Sequence, residues 1–80
     1  MVYFVYVLLC VGNTYYTGVT NNVPARFAKH QSGKGAKYTR SHRPLRIVYQ
    51  QAFPDKSSAL KREAELKRLT HRQKELLTLA

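Results

Sequence analysis

The 80-residue chain has four acidic residues, one cysteine and no tryptophan, and its first charged residue is Arg26. Each scarcity excludes something. The lone thiol, Cys10, cannot form an intrachain disulfide, and its place in an apolar run reads as a buried structural thiol, so a reducing, cytoplasmic setting is expected. The longest apolar run, Val2 to Val11, covers ten residues and is interrupted by tyrosines, whereas about 20 are needed to cross a bilayer. The same run has no basic flank and no small-residue cleavage site, so it does not read as a secretory signal. No pair among His30, His42, His71 and Cys10 has the short spacing of a zinc site, and no G-x-S-x-G elbow occurs, which disfavours zinc and serine-hydrolase chemistry. Gly33-Lys34-Gly35-Ala36-Lys37 has a phosphate loop's composition without Walker A spacing, and reads as a basic loop against backbone phosphates.

Fourteen Lys and Arg residues against four acids give a net charge of +10. Such an excess opposes compaction unless an anionic partner neutralises it, and nucleic acid is the first expectation. An anionic membrane is a distant alternative, because neither late helix combines a broad apolar face with aromatic anchors. No obligate protein partner is evident. A hydrophobic content of 44% nevertheless requires a folded chain, read as one domain over residues 1–80. A domain this small has no room for a large enclosed chamber, so function is expected in a shallow groove.

The uncharged opening reads as two strands, Tyr3 to Leu9 and Thr14 to Thr20, joined by a turn at Val11-Gly12-Asn13. Asn21 or Asn22 caps a first helix with Pro24 in its first turn, and Ser32-Gly33 ends it near residue 31. Gly33 to Pro44 is a basic loop with room for a short helix around Lys37 to Ser41. Leu45 to Phe53 reads as a third strand stopped by Pro54. Asp55 opens a second long helix through about Leu69, and Thr70 with Gln73 forms a capping box for a last helix through Leu79. The order is β-β-α-β-α-α, an α+β domain with a small, largely antiparallel sheet and helices packed on it. Leu66, Leu69, Leu76, Leu77 and Leu79 are assigned to the core.

Glu63 is the most informative single residue. At 100° per residue it lies about 40° from Ala59 and about 60° from Leu60 and Leu66, within the apolar stripe of its helix. It is either an acid at the stripe's edge paired with Lys67, or a hard oxygen ligand for Mg²⁺ or Mn²⁺ facing the basic surface. Arg26 and His30, spaced i,i+4, share a helix face. They form either a solvated polar face with Lys29 and Lys34, or a phosphate fork beside a proton carrier. Tyr6 and Tyr16 lie ten residues apart across a short turn, which can bring both hydroxyls to one face of neighbouring strands. They serve as packing residues or as phenols that orient or deprotonate a water. Lys29, Lys34, Lys37, Arg40 and Arg43 are expected to track a phosphate backbone. Tyr38 either stacks on an unpaired base or covers the core edge.

These residues resemble the GIY-YIG nuclease superfamily, specifically its small stand-alone bacterial members. Phe4-Val5-Tyr6 corresponds to the first motif and Tyr16-Thr17-Gly18 to the second. Arg26 and His30 in Ala25-Arg26-Phe27-Ala28-Lys29-His30, and Glu63 in Lys61-Arg62-Glu63-Ala64-Glu65-Leu66-Lys67, stand where the family carries functional residues. Two positions depart: Phe4 replaces a glycine, and Thr17 replaces a β-branched aliphatic residue. The resemblance implies a three-stranded antiparallel sheet flanked by helices, and hydrolysis of a nucleic-acid phosphodiester with one divalent ion, Mg²⁺ or Mn²⁺. It further implies Glu63 as metal ligand, Arg26 as phosphate clamp, Tyr6 and Tyr16 as phenols that position or activate water, and His30 as an aid to proton transfer.

The expected activity is a metal-dependent nuclease, acting on DNA rather than RNA, with in-line attack by water. The alternative is a non-catalytic basic RNA-binding or ribosome-associated protein, to which a carboxylate facing the phosphate site contributes nothing.

Overall fold

A computed structural model describes residues 1–79. The strands are β1 (Tyr3–Cys10), β2 (Thr14–Thr20) and β3 (Pro44–Phe53), and the helices are α1 (Val23–Gln31), α2 (Lys37–Ser41), α3 (Lys56–Lys67) and α4 (His71–Thr78). The sheet is antiparallel throughout, in the order β2-β1-β3. No described helix is long and apolar enough to cross a membrane.

Local chemistry accounts for the boundaries. Gly12 and Asn13 both take positive φ, at 88° and 57°, which lets the chain reverse between β1 and β2. Asn22 caps α1 by accepting from the Ala25 amide, Asp55 caps α3 through the Ser58 amide, and Thr70 with Gln73 closes a reciprocal capping box on α4. The last helix ends at Thr78, with Leu79 as its cap.

Because β1 is the central strand, Val5, Tyr6, Val7 and Leu8 are all buried, and its sequence is a continuous apolar run rather than an alternation. Its side chains divide between two cores. Val5 and Val7 pack with Ala59 and Leu66 of α3 on one face, while Tyr6, Leu8 and Cys10 pack with Val23 of α1 on the other. Burying each of these larger aliphatic side chains contributes about 1.5–3 kcal/mol. The sheet is therefore a partition between α1 and α3, and β2 is the edge across which the two helices can share a site.

Two of the five leucines assigned to the core are not there. Leu66 is buried and Leu69 and Leu77 pack against the α3-side core, but Leu76 is 52% and Leu79 77% exposed. The eight-residue α4 presents only one narrow face to the sheet, and helical periodicity turns Leu76 off that face.

Candidate active site

An open cleft of about 370 Å³ runs across the β2 edge. Tyr6 and Tyr16 reach it from the hairpin, Arg26 from α1, and Lys56, Leu60 and Glu63 from α3. The hairpin register pairs Tyr6 with Gly18 and Leu8 with Tyr16, so the two tyrosines lie diagonally on one face, with ring centroids 6.3 Å apart. That arrangement depends on Gly18. A Cβ there would stand 2.5 Å from the Tyr6 hydroxyl and 2.7 Å from its ring, so only glycine lets the ring lie flat across β2.

On α3, Ala59 and Leu66 point into the core, whereas Lys56, Leu60 and Glu63 follow a neighbouring i, i+4, i+7 ridge along the cleft. The apolar stripe is thus narrower than its sequence implies, because Leu60 is 44% exposed. Glu63 sits on the stripe's edge with its side chain 20% exposed and Lys67 Nζ 3.5 Å from Oε2. The stripe-edge acid paired with Lys67 is what the structure shows, and the same carboxylate also lines the open cleft.

Arg26 is exposed toward the cleft, but His30, one turn later on the same face, is 2% exposed. A solvated polar face is therefore wrong for His30. Its Nε2 lies 2.9 Å from the Tyr6 hydroxyl and its Nδ1 2.8 Å from Thr39 Oγ1. Gly35 lies so close that a Cβ there would collide with the imidazole. Burial, then the nearby charges of Arg26 and Lys29, push the His30 pKa down. Burial also pushes the Tyr6 phenol well above its usual range, reinforced by Tyr16 and opposed by Arg26. Both groups are consequently neutral at pH 7.

A second cleft of about 280 Å³ shares Tyr16 and Arg26 with the first and adds Lys29, His30, Lys34, Gly35 and Ala36. Lys37, Arg40 and Arg43 are exposed nearby in the chain but line neither cleft. Tyr38 is 37% exposed, with its ring stacked on His42 at 4.3 Å and on Tyr16 at 6.0 Å. It covers the second tyrosine and already has aromatic neighbours.

Sequence reasoning gave no site role to three residues, Gly18, Gly35 and Thr39, although Gly18 stands in the second motif. Gly33 takes φ 80° at the end of α1, where the sequence places the helix stop, but Gly35, expected only to lie in a basic loop against phosphates, makes room for His30. The signal for Gly18 lay in the hairpin register, which places it opposite Tyr6.

The family model of the GIY-YIG catalytic domain matches residues 2–76. A UPF0213 protein of Cupriavidus pinatubonensis is 56% identical over 72 residues, covering 90% of this chain and 80% of the relative. The solution structure of a UPF0213 protein from Bacillus halodurans is 49% identical with a TM-score of 0.60, covering 96% of this chain and 82% of that one. A second solution structure, of a protein from E. faecalis, is 38% identical with a TM-score of 0.64 at the same coverage. With this match over nearly its whole length, and the paired tyrosines, arginine and glutamate gathered at one sheet edge, the chain belongs to the GIY-YIG nuclease superfamily.

Proposed function

We propose that the protein is a divalent-metal-dependent endonuclease that hydrolyses phosphodiester bonds, with DNA as the preferred substrate. The observation that carries this reading is the convergence of Tyr6, Tyr16, Arg26 and Glu63, from four separate elements, on one open cleft. A carboxylate facing a strongly basic surface is costly for a protein that merely binds phosphates, and it favours the enzyme over a non-catalytic binder.

The donor set suits a hard cation. Among the described residues no three His, Cys, Asp or Glu side chains cluster to hold a metal by themselves. Glu63 is the only acid lining the cleft, so an ion there would take its other ligands from water and substrate phosphate, as Mg²⁺ commonly does. When bound, such an ion supplies Lewis-acid stabilisation of the charge that develops on the phosphate and the leaving oxygen.

The chain's own residues do the rest. The Arg26 guanidinium, a fixed fork of donors, holds the scissile phosphate and offsets its growing charge as water attacks in line. Tyr16 lines both clefts and is half-buried, so its hydroxyl meets the attacking water and orients it for in-line attack. His30 is too deeply buried for that contact and acts through Tyr6, whose hydroxyl it holds in place. Lys29 and Lys34 draw the adjoining backbone into the second cleft.

The test is cleavage of single-stranded, duplex and branched DNA, and of RNA, with Mg²⁺, Mn²⁺ or EDTA. Cutting of DNA that requires the metal and is lost in Arg26→Ala is expected. Salt-sensitive binding without cleavage under any metal would favour the non-catalytic alternative.

A further inference from the structure

Tyr6, His30 and Thr39 form a buried hydrogen-bonded chain leading from the cleft to the backbone of the Gly33-to-Pro44 segment. The Tyr6 hydroxyl is 2.9 Å from His30 Nε2, His30 Nδ1 is 2.8 Å from Thr39 Oγ1, and Thr39 Oγ1 is 2.9 Å from the Ala36 carbonyl oxygen. Tyr6, His30 and Thr39 are 1%, 2% and 2% exposed, so water cannot readily substitute for a missing partner. The order of donors along this chain decides whether Tyr6 offers the cleft a proton or a lone pair.

Thr39 has one hydroxyl proton and two candidate recipients. An O···O separation of 2.9 Å is a hydrogen-bond distance only if a proton lies between the oxygens, and a carbonyl has none to give. The Thr39 proton therefore goes to Ala36, its oxygen accepts from His30 Nδ1–H, and Nε2 is left with the lone pair that accepts from Tyr6. The competing order has Nδ1 accept from Thr39 and from the Ala36 amide, and it leaves two acceptor oxygens facing each other at 2.9 Å. The favoured order instead sets the Ala36 N–H against Nδ1–H, but at 3.4 Å that contact is the longer of the two and the cheaper to give up.

We propose that Thr39 is a positioning residue that fixes His30 in the Nδ1–H tautomer, so that Tyr6 spends its proton inward and presents an acceptor oxygen to the cleft. This deepens the nuclease reading and rests on it for its catalytic consequence. Gly35 completes the device, because its bare backbone packs against the imidazole and holds the ring's orientation. In that arrangement Tyr6 accepts a hydrogen bond from the attacking water or a bound hydrate, orienting it without transferring a proton itself.

The experiment is ¹⁵N NMR of the His30 ring in the full chain at neutral pH, for the wild type, Thr39→Val and Thr39→Ser, read beside kcat and KM on a DNA substrate. In the wild type Nδ1 should carry the proton and Nε2 should not. Thr39→Val leaves the Ala36 amide as the sole partner of Nδ1, so the proton should move to Nε2, and kcat should fall about tenfold or more with KM kept. Thr39→Ser should restore both. A wild-type His30 protonated at Nε2 overturns the proposal, even if Thr39→Val fails to fold. So does a Thr39→Val ring that stays protonated at Nδ1. The tautomers as expected in a wild type that cuts nothing would support the hydrogen-bond order and overturn the nuclease reading instead.

Discussion

A methyl group at residue 18 would fall 2.5 Å from the Tyr6 hydroxyl, and Tyr6, 1% exposed, has no space into which to yield. Gly18→Ala should therefore displace the phenol, cost about 1–3 kcal/mol of stability and abolish cleavage, as checked by thermal denaturation and a cleavage assay. An active, equally stable variant would show that the ring is not confined there. The neighbouring Thr17 makes the opposite prediction. Its side chain is 4% exposed, and its hydroxyl has no hydrogen-bond partner among the described residues. Thr17→Val keeps the shape and removes the orphaned oxygen, so it should stabilise the fold by about 1 kcal/mol, a rise in Tm of about 4–8 °C. A lower Tm would mean that the hydroxyl has found a partner. Tyr6, Tyr16, Arg26 and Glu63 were legible in the sequence because each breaks a local rule or fits a motif. Gly18 was visible only as a motif position, and Gly35 and Thr39 not as site residues at all, because their importance comes from contacts with side chains that are distant along the chain.

Among the elements, α1 carries both Arg26 and His30, and its start is fixed by the Asn22 side chain accepting from the Ala25 amide at 3.1 Å. Asn22→Ala should cost about 1 kcal/mol in denaturant unfolding and weaken cleavage more than binding, since Arg26 lies in the second turn. Full activity in that variant would show that the packing of α1, rather than its cap, sets the arginine. Element boundaries read well from sequence wherever a cap or turn residue announces them, as at Asn22, Asp55 and Thr70. Helix faces read less well. The α3 periodicity put Leu60 and Glu63 in one stripe with Ala59 and Leu66, but the edge of the sheet ends before that face does, and the cleft takes the remainder. Leu76 and Leu79 mislead for the same reason: a leucine at helical spacing is core only if something lies opposite it.

For the whole molecule, the charge of +10 should show as a steep salt dependence of nucleic-acid binding. If the footprint covers about six phosphates, affinity should fall on the order of 10³-fold between about 50 and 200 mM salt. The buried His30 gives folding its own acid limit. Its pKa lies below the ordinary 6.5 in the folded chain, so the unfolded chain binds the proton more readily. Its contribution to stability is full above about 6.5 and is lost as the pH falls through the folded value. Wild-type stability should thus decline on mild acidification, and His30→Gln should decline less over the same window in denaturant titrations. The three strands and the order of elements follow from the strand and turn signals together, whereas the gathering of the site at the β2 edge is visible only in the folded chain. What composition and spacing do not reveal is that this edge leaves two adjoining clefts, one bearing the carboxylate and one whose charged lining residues, Arg26, Lys29 and Lys34, are all cationic.

The most direct test of the central claim, that the cleft at the β2 edge is a hydrolytic centre built on Glu63, is Glu63→Gln assayed for DNA binding and metal-dependent cleavage beside the wild type. Removing a negative charge from a phosphate-binding cleft should leave binding intact or tighter while cleavage is lost by orders of magnitude. Cleavage retained in Glu63→Gln, or binding lost together with cleavage, would contradict it.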